Sequence, residues 1–422
     1  MLFWPVGDQN LETASADAKA ALSNLAETSL DITPIAVMTC RKPTDIPRLA
    51  KSVNGRDFDC LVLFSATYLT ALCIIAIVKR FKVPAIVWAL PRRYALASSG
   101  LAASYLRERG YWLRLLCAEP DDRGVKAEIE TIARVSHALR QSKATRIGLV
   151  GKPSPLMVSL PYDLELLQRR LGPKTIEISM QSLDRALKSV KPEAVESAVL
   201  EFKQKFDVKV QDAMLAKTVR FQLAVKEIVS RNRIDAIALE CWTNLFSKYG
   251  VNSCLGHLND LTVGCEGDVV SLSGSIILRG INGINPYLTD ILAVEEKTNT
   301  IRLCHCSAPI SLAKDSAQVS LVELTDPRKA GKTVVAHFDF KNGPVTLVRF
   351  YGRRLDKMHM TWGELGATGQ YWGGISLEVH SNVNAKNFMN NLCGNHYLLT
   401  YGDIRRELRL FAEWNDLEVL ED

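Results

Sequence analysis

The first third of the chain repeats one unit, a continuous apolar run followed by a helical stretch. FDCLVLFSA, VPAIVWALP and YWLRLLCAE read as strands, and YLTALCIIAIVKRF and SGLAASYLRERG between them read as helices. ITPIAVMTC and PTDIPRLAKSV open the series as one more strand and helix. A strand without polar alternation is apolar on both faces, so the pattern requires a parallel sheet covered by helices on both sides. Cys60 to Val78 carries no charge and approaches the length of a membrane span. The FSATY interruption splits it into a strand and a helix, which places it in the core of an α/β domain rather than in a bilayer.

The rhythm restarts after the helix VKAEIETIARVSHALRQS. TRIGLVG and KTIEISM read as strands, a long charged helical region ends at VRFQLAVKEIVSRN, and IDAIALEC is a further strand. Beyond about residue 290 the pattern changes to AQVSLVELT, GKTVVAHFDF, GPVTLVRFYG and GGISLEVHS, all strand-like, closed by the helix DIRRELRLFAEWN. FKNGPV has the composition of a tight hairpin turn, and RRLDKMHM that of a solvated edge. The expected fold is α/β: two Rossmann-like parallel-sheet domains, 1–144 and 145–290, followed by a β-rich C-terminal domain, 291–422.

A formal charge of +6 on 422 residues, without a basic block or an aromatic-interleaved basic stripe, gives no reason to expect nucleic acid. Ten cysteines are scattered, several inside apolar runs, and the start lacks the pattern of a secretory signal. Reduced thiols in a cytoplasmic protein are expected, with no membrane partner. GLVGKPS lacks the spacing of a P-loop, and GSIILRGINGINP follows a helix pattern rather than a strand, so both read as turn glycines.

The chemistry concentrates in GCEGDVVSLSGSIILRGINGINPYLTD, residues 264–290. Glu266 and Asp268 precede an apolar helix, Asp290 closes the next strand-like segment, and Arg279 is the lone cation between them. Moving a proton between adjacent sugar carbons needs a divalent ion at neighbouring oxygens and acid/base groups beside the carbons. Carboxylates serve both needs, and hard ions take oxygen ligands supplemented by imidazole. Glu266, Asp290, His305 and His396 have the right types. Each also has a plainer reading: Glu266 as a first-turn acid, Asp268 as a helix N-cap, Asp290 as a strand-ending turn residue, His396 as a loop or capping residue. His305 lies between Cys304 and Cys306, but strand alternation turns it away from both, and no CxxC pair exists, which disfavours thiolate zinc. Glu240 ends a parallel strand, where ligands gather; Trp88 and Trp242 could wall a sugar. His257, His337, His359 and His380 read as structural.

The segment NSCLGHLNDLTVGCEGDVVSLSGSIILRGINGINPYLTD resembles the metal-site region of the L-fucose and L-arabinose isomerase family, in which a Glu starts an apolar helix and a second carboxylate ends the following strand. IRLCHCSAP and CGNHYLLTYGDIRRELRLFAEWNDLEV resemble the strands that supply its histidines, matched by His305 and His396. VPAIVWALP, TRIGLVGKP and KNGPVTLVRF extend the likeness over most of the chain. The resemblance implies a manganese-dependent (or other divalent-cation) aldose–ketose isomerase working on a free pentose or deoxyhexose through a cis-enediol. It implies Glu266 and Asp290 as catalytic groups, Glu266, Asp290, His396 and His305 as metal ligands, and Glu240, Trp88 and Asn395 at the substrate. A homo-oligomer, trimer or hexamer, with active sites shared between subunits is implied as well. The chain is shorter than the well-known members, Asp290 follows the fucose branch, and His305 follows the arabinose branch. The competing readings are a non-catalytic sugar- or metabolite-binding protein, or a metal-dependent enolisation or lyase reaction on another carbohydrate-like substrate.

Overall fold

A computed structural model describes residues 11–32, 47, 58–68, 71–155, 158, 163–241, 245–251, 254–258, 261–325 and 333–422. The opening strand and helix expected around residues 32–53, and Trp242, lie outside these. The chain divides into two compact units, Met1–His137 and Ala138–Asp422. The division falls inside a helix, Arg123–Ala144.

The first unit holds α1 (Leu11–Ala26), β1 (Leu61–Ser65), α2 (Ala71–Phe81), β2 (Ala85–Ala89), α3 (Ala95–Arg107), β3 (Leu113–Cys117) and most of α4 (Arg123–Ala144). The three strands form a parallel sheet in the order β1-β2-β3. Every residue of β2 is buried, as its unbroken apolar sequence AIVWA requires. Cys73, Ile74, Ile77 and Val78 of α2 pack into the same core, so one face of this helix is interior while Leu72 is exposed. Among the described residues no helix is long and apolar enough to cross a membrane.

The second unit begins with β4 (Arg146–Val150), α5 (Leu164–Leu171), β5 (Lys174–Ile178), α6 (Met180–Ser189), α7 (Pro192–Lys205), β6 (Asp207–Val208), α8 (Asp212–Asn232), β7 (Ala236–Leu239) and β8 (Thr262–Gly264). Four of these strands form a parallel sheet, β5-β4-β7-β8. The chain winds outward from β4 in one direction and then returns past it to β7. The β4–β7 junction is therefore a topological switch point, where open α/β sheets bind ligands at the carboxyl ends of their strands.

Helix α9 (Val269–Asn282) then leads into an antiparallel barrel. Its strands are β9 (Tyr287–Glu295), β10 (Thr300–His305), β13 (Gly343–Tyr351), β14 (Lys357–Tyr371), β15 (Gly374–Ser381) and β16 (His396–Tyr401). They pair in the order β13-β16-β9-β10-β15-β14, and a β13–β14 ladder closes the ring. Closure removes both sheet edges. The long β14 serves two neighbours with a register shift between Leu365 and Thr368; at Gly363 a Cβ would stand 2.3 Å from the His380 carbonyl oxygen, so only glycine fits. After α10 (Ala385–Asn390) and α11 (Arg405–Trp414), β17 (Glu418–Glu421) joins β14 in parallel. β11 (Ser320–Glu323) and β12 (Val334–His337) form a separate small sheet with β6.

Three sequence expectations change. FKNGPV is not a hairpin: β12 pairs with β11 and β13 with β14 and β16, so the turn carries the chain from one sheet to another. The RRLDKMHM segment is not a solvated edge throughout, because Met358, His359 and Met360 are buried in β14. Asp290 does not close a strand. It sits within β9, which runs on to Glu295.

Candidate active site

Helix α9 explains the apolar stretch between the carboxylates. It is buried on nearly all sides because it lies between two layers. Leu272 packs towards Gly264 at the end of β8, and Gly274 meets Leu398 of β16 and Phe350 of β13. The small residues Ser271, Ser273, Gly274 and Ser275 let it sit close to the barrel. Its amino end thereby brings the carboxyl edge of the parallel sheet to the rim of the barrel.

The turn between β8 and α9 holds the acids. Glu266 and Gly267 both adopt left-handed backbone, with φ of 58° and 68°. A non-glycine residue there is strained and must be held by its surroundings. Glu266 O accepts from Ser154 N at 2.9 Å, Gly267 N donates to Leu239 O at 3.0 Å, and Glu266 N points to Cys241 Sγ at 3.4 Å. A Cβ on Gly267 would come within 2.7 Å of Pro153 Cα. The turn is thus clamped between the ends of β4 and β7.

Asp268 caps α9, its Oδ1 accepting from Ser271 N at 2.8 Å. Its Oδ2 accepts from Ser271 Oγ at 2.6 Å and from His396 Nδ1 at 2.9 Å. The cap was legible in the sequence; the contact with His396 was not, since only the fold joins them. Both side chains are fully buried.

With Nδ1 engaged, His396 directs Nε2 towards the other acids, 3.9 Å from Glu266 Oε2 and 3.7 Å from Asp290 Oδ1. The register pairs Asp290 with His396 across β9 and β16 and with Cys304 across β9 and β10. His305, at the end of β10, places its ring 5.6 Å from that of His396. Ligand atoms of Glu266, His305 and His396 all lie within 4.8 Å of one another, and this is the one such metal-competent group among the described residues. His396 Nε2 and His305 Nδ1 are buried and have no hydrogen-bond partner among the described residues. Orphaned imidazole nitrogens beside a carboxylate fit a divalent cation that takes mixed oxygen and nitrogen ligands. Asp290 stands at the open side, 44% exposed, accepting from Asn395 Nδ2 at 2.9 Å.

The electrostatics follow from this packing. Burial pushes the Glu266 carboxyl up, opposed by the charges of His396 and His305 and assisted by Asp290. Burial lowers His396, but the Asp268 hydrogen bond and the three surrounding acids outweigh it and raise the ring to about 9. Burial would raise Asp268, yet His396 and the Ser271 donors hold it below the usual carboxylate range. These are the opposed environments expected where acids and bases are tuned for chemistry.

The remaining sequence candidates separate. Asn395 joins Asp290. Glu240 is buried at the carboxyl end of β7, beside the clamp on Gly267. Trp88 is buried in the first unit, its Nε1 donating to Ala118 O at 3.1 Å and its ring edge-on to Phe64. Cys306 packs with Cys254, Leu324 and Val335 rather than joining the metal-competent group.

An acidic turn at a parallel-sheet edge, completed by two buried imidazoles from a barrel rim, forms a group that could hold a metal ion. No family model matches the chain. It is similar along its whole length to the sulfoquinovose isomerase of Alkalicoccus urumqiensis, 26% identical over 447 residues with 100% of this chain and 99% of that protein covered. The sulfoquinovose isomerase of Priestia megaterium (strain ATCC 12872 / QMB1551) is 24% identical over 445 residues, covering 99% and 98%. That of Clostridium sp. (strain MSTE9) is 24% identical over 394 residues, covering 85% of each. On this similarity the chain is an enzyme, of the isomerase kind.

Proposed function

We propose that the chain interconverts an aldose and its ketose, and that its substrate is a sulfosugar of the sulfoquinovose type, a hexose with a sulfonate on its terminal carbon. The observation that carries the reading is the Glu266, His305 and His396 group with Asp290 beside it, in a chain similar end to end to sulfoquinovose isomerases. The likeness to the fucose and arabinose isomerases supports the same chemistry. The relatives' name favours a sulfosugar over the free pentose or deoxyhexose that this likeness alone suggests.

Glu266, His305, His396 and Asp290 would hold manganese or another divalent ion, which supplies positive charge at the neighbouring oxygens of the sugar. The chain's own groups then handle the protons. A carboxylate oxygen of Glu266 or Asp290 accepts the proton from C2 as O1 gains one, forming a cis-enediol. O2 then loses its proton and a carboxylate returns one to C1, so no atom is gained or lost. The raised Glu266 carboxyl suits a group that must take a proton as well as give one. His396 is held by Asp268 through Nδ1. Asn395 orients Asp290 through its amide. A homo-oligomer with shared sites and a cytoplasmic location, in which the free thiols stay reduced, complete the proposal.

The test is a panel of sulfoquinovose, glucose 6-phosphate, fucose and arabinose, assayed after chelation and after manganese is restored. Turnover of sulfoquinovose that is lost with chelator and regained with the ion is expected. Turnover that survives exhaustive chelation would overturn the metal assignment, and turnover of the neutral sugars alone would overturn the sulfosugar.

A further inference from the structure

A cavity of about 810 Å³ opens at the carboxyl edge of the parallel sheet, between the ends of β4 and β5. It is in the size range of a small-ligand site. Its walls include Gly151 and Lys152 after β4, Ser179 after β5, and Ser247 and Lys248 beyond β7. The loop that carries Lys152 is the one clamped onto the metal-ligand turn. Ser154 N donates to Glu266 O, and the Lys152 carbonyl and Pro153 Cα crowd the Gly267 α-carbon. One short loop therefore forms a wall of the cavity on one side and supports Glu266 on the other.

The cavity's polar groups suit an anion. Lys152 is exposed and has no ion-pair partner among the described residues. Lys248 Nζ is fixed by Asp184 Oδ2 at 2.7 Å, and Tyr249 Oη donates to the other oxygen of the same carboxylate at 2.8 Å. An ammonium has three donors, so the contacts with Asp184 and Tyr249 leave one for a ligand. Asp184 is not part of the cavity wall. Glu177 is, and it opposes an anion; two lysines line the cavity against it.

We infer that this cavity is the subsite for the anionic end of the substrate: a tetrahedral oxyanion on the terminal carbon of a hexose, held by Lys152 and Lys248 while the other end of the sugar lies at Glu266 and Asp290. The inference rests on the sugar-isomerase reading and adds the residues that select a charged sugar over a neutral one. A flexible lysine pair binds such a group as point charges rather than through a bidentate fork. Sulfonate and phosphate share that chemistry, and the experiment separates them.

The test uses the full-length, metal-loaded protein and the variants Lys152→Met, Lys248→Met and Glu177→Gln. KM and kcat are measured for sulfoquinovose, for glucose 6-phosphate, and for quinovose, which has the same ring without the anion. Binding of the two anionic sugars is measured in parallel by calorimetry. Each lysine variant is expected to raise KM for the anionic sugar roughly tenfold or more, with kcat/KM for quinovose changed less than about twofold. Glu177→Gln should lower KM for the anionic sugar. Raising salt from low to physiological strength should weaken the wild type more than the double lysine variant, because the attraction lost is screened. Equal effects on charged and neutral sugars, no effect on either, or no binding of either anionic sugar by the wild type would overturn the inference. Sulfoquinovose turnover unaffected by the lysine variants would remove the subsite and leave the function standing. Preference for glucose 6-phosphate with lysine dependence would leave the subsite standing and remove the sulfosugar.

Discussion

Asp268 makes no contact with Asp290 or Glu266 in the hydrogen-bond network, yet it decides which nitrogen of His396 is offered to a metal. Its two oxygens accept from three donors: Ser271 N, Ser271 Oγ and His396 Nδ1. Asp268→Ser keeps a helix cap and removes the acceptor from His396. Such a replacement of the cap alone costs at most a few tenths of a kcal/mol, because serine caps nearly as well as aspartate. The free imidazole can then place its proton on either nitrogen, and loss of an orienting carboxylate typically weakens metal binding about 10- to 100-fold, or about 1.4–2.7 kcal/mol. Asp268→Asn is closer in shape but worse in chemistry. With Oδ1 still accepting from Ser271 N, the amide nitrogen faces His396 Nδ1, and two donors cannot pair. The proton must move to Nε2, the atom that points to Glu266 and Asp290, which is the same wrong-tautomer failure known when a triad aspartate becomes asparagine. Manganese titration by calorimetry should therefore rank wild type above serine and serine above asparagine, with asparagine weakened about 100-fold or more. Nitrogen-15 chemical shifts of His396 should show the proton on Nε2 in the asparagine variant. Thermal unfolding of the metal-free proteins controls for folding. An asparagine variant that binds the ion as the wild type does, or more tightly than the serine variant, would refute the tautomer argument.

Three further outcomes follow from the same geometry. Gly267→Ala should lower stability by more than about 1 kcal/mol and displace Glu266, since φ is 68° and the new methyl would meet Pro153; unfolding and metal titration both read it. Because the surrounding acids keep metal-free His396 protonated up to about pH 9, and a bound imidazole must be neutral at the ligating nitrogen, ion binding should release close to one proton at pH 7. Apparent affinity should then rise with pH and level off near 9, which calorimetry in buffers of different ionisation enthalpy checks. Glu266→Gln and Asp290→Asn should each lower turnover about 100- to 10,000-fold; wild-type rates of solvent deuterium exchange at C2 in Glu266→Gln would show that Glu266 is not the base.

The α/β rhythm was readable because buried parallel strands are apolar at every position, as β2 shows. The barrel was readable only as a set of strands. Closure depends on β14 pairing with both β13 and β15, and nothing local in KMHMTWGELGATGQY announces two partners. FKNGPV misled for the same reason. Its asparagine and glycine favour a tight turn, but which strands flank a turn is a local question, and which strands pair is not.

The site was legible in residue type and hidden in arrangement. Glu266, Asp290, His305 and His396 could be picked out as donors, yet the turn before α9, β9, β10 and β16 meet only because the barrel sets β9 between the other two strands. The family resemblance made Asp290 the partner of Glu266; the fold groups Glu266 most closely with the two histidines and leaves Asp290 at the rim, half-exposed and tied to Asn395. In the proposed reaction that position would distinguish the two carboxylates. Glu266 is strained, buried and clamped by the β4 loop, as a fixed ligand needs to be. Asp290 is half-exposed and held through Asn395, so in the proposed reaction it would meet the sugar from the open side, while Glu266, with its raised carboxyl, would meet it from the clamped turn.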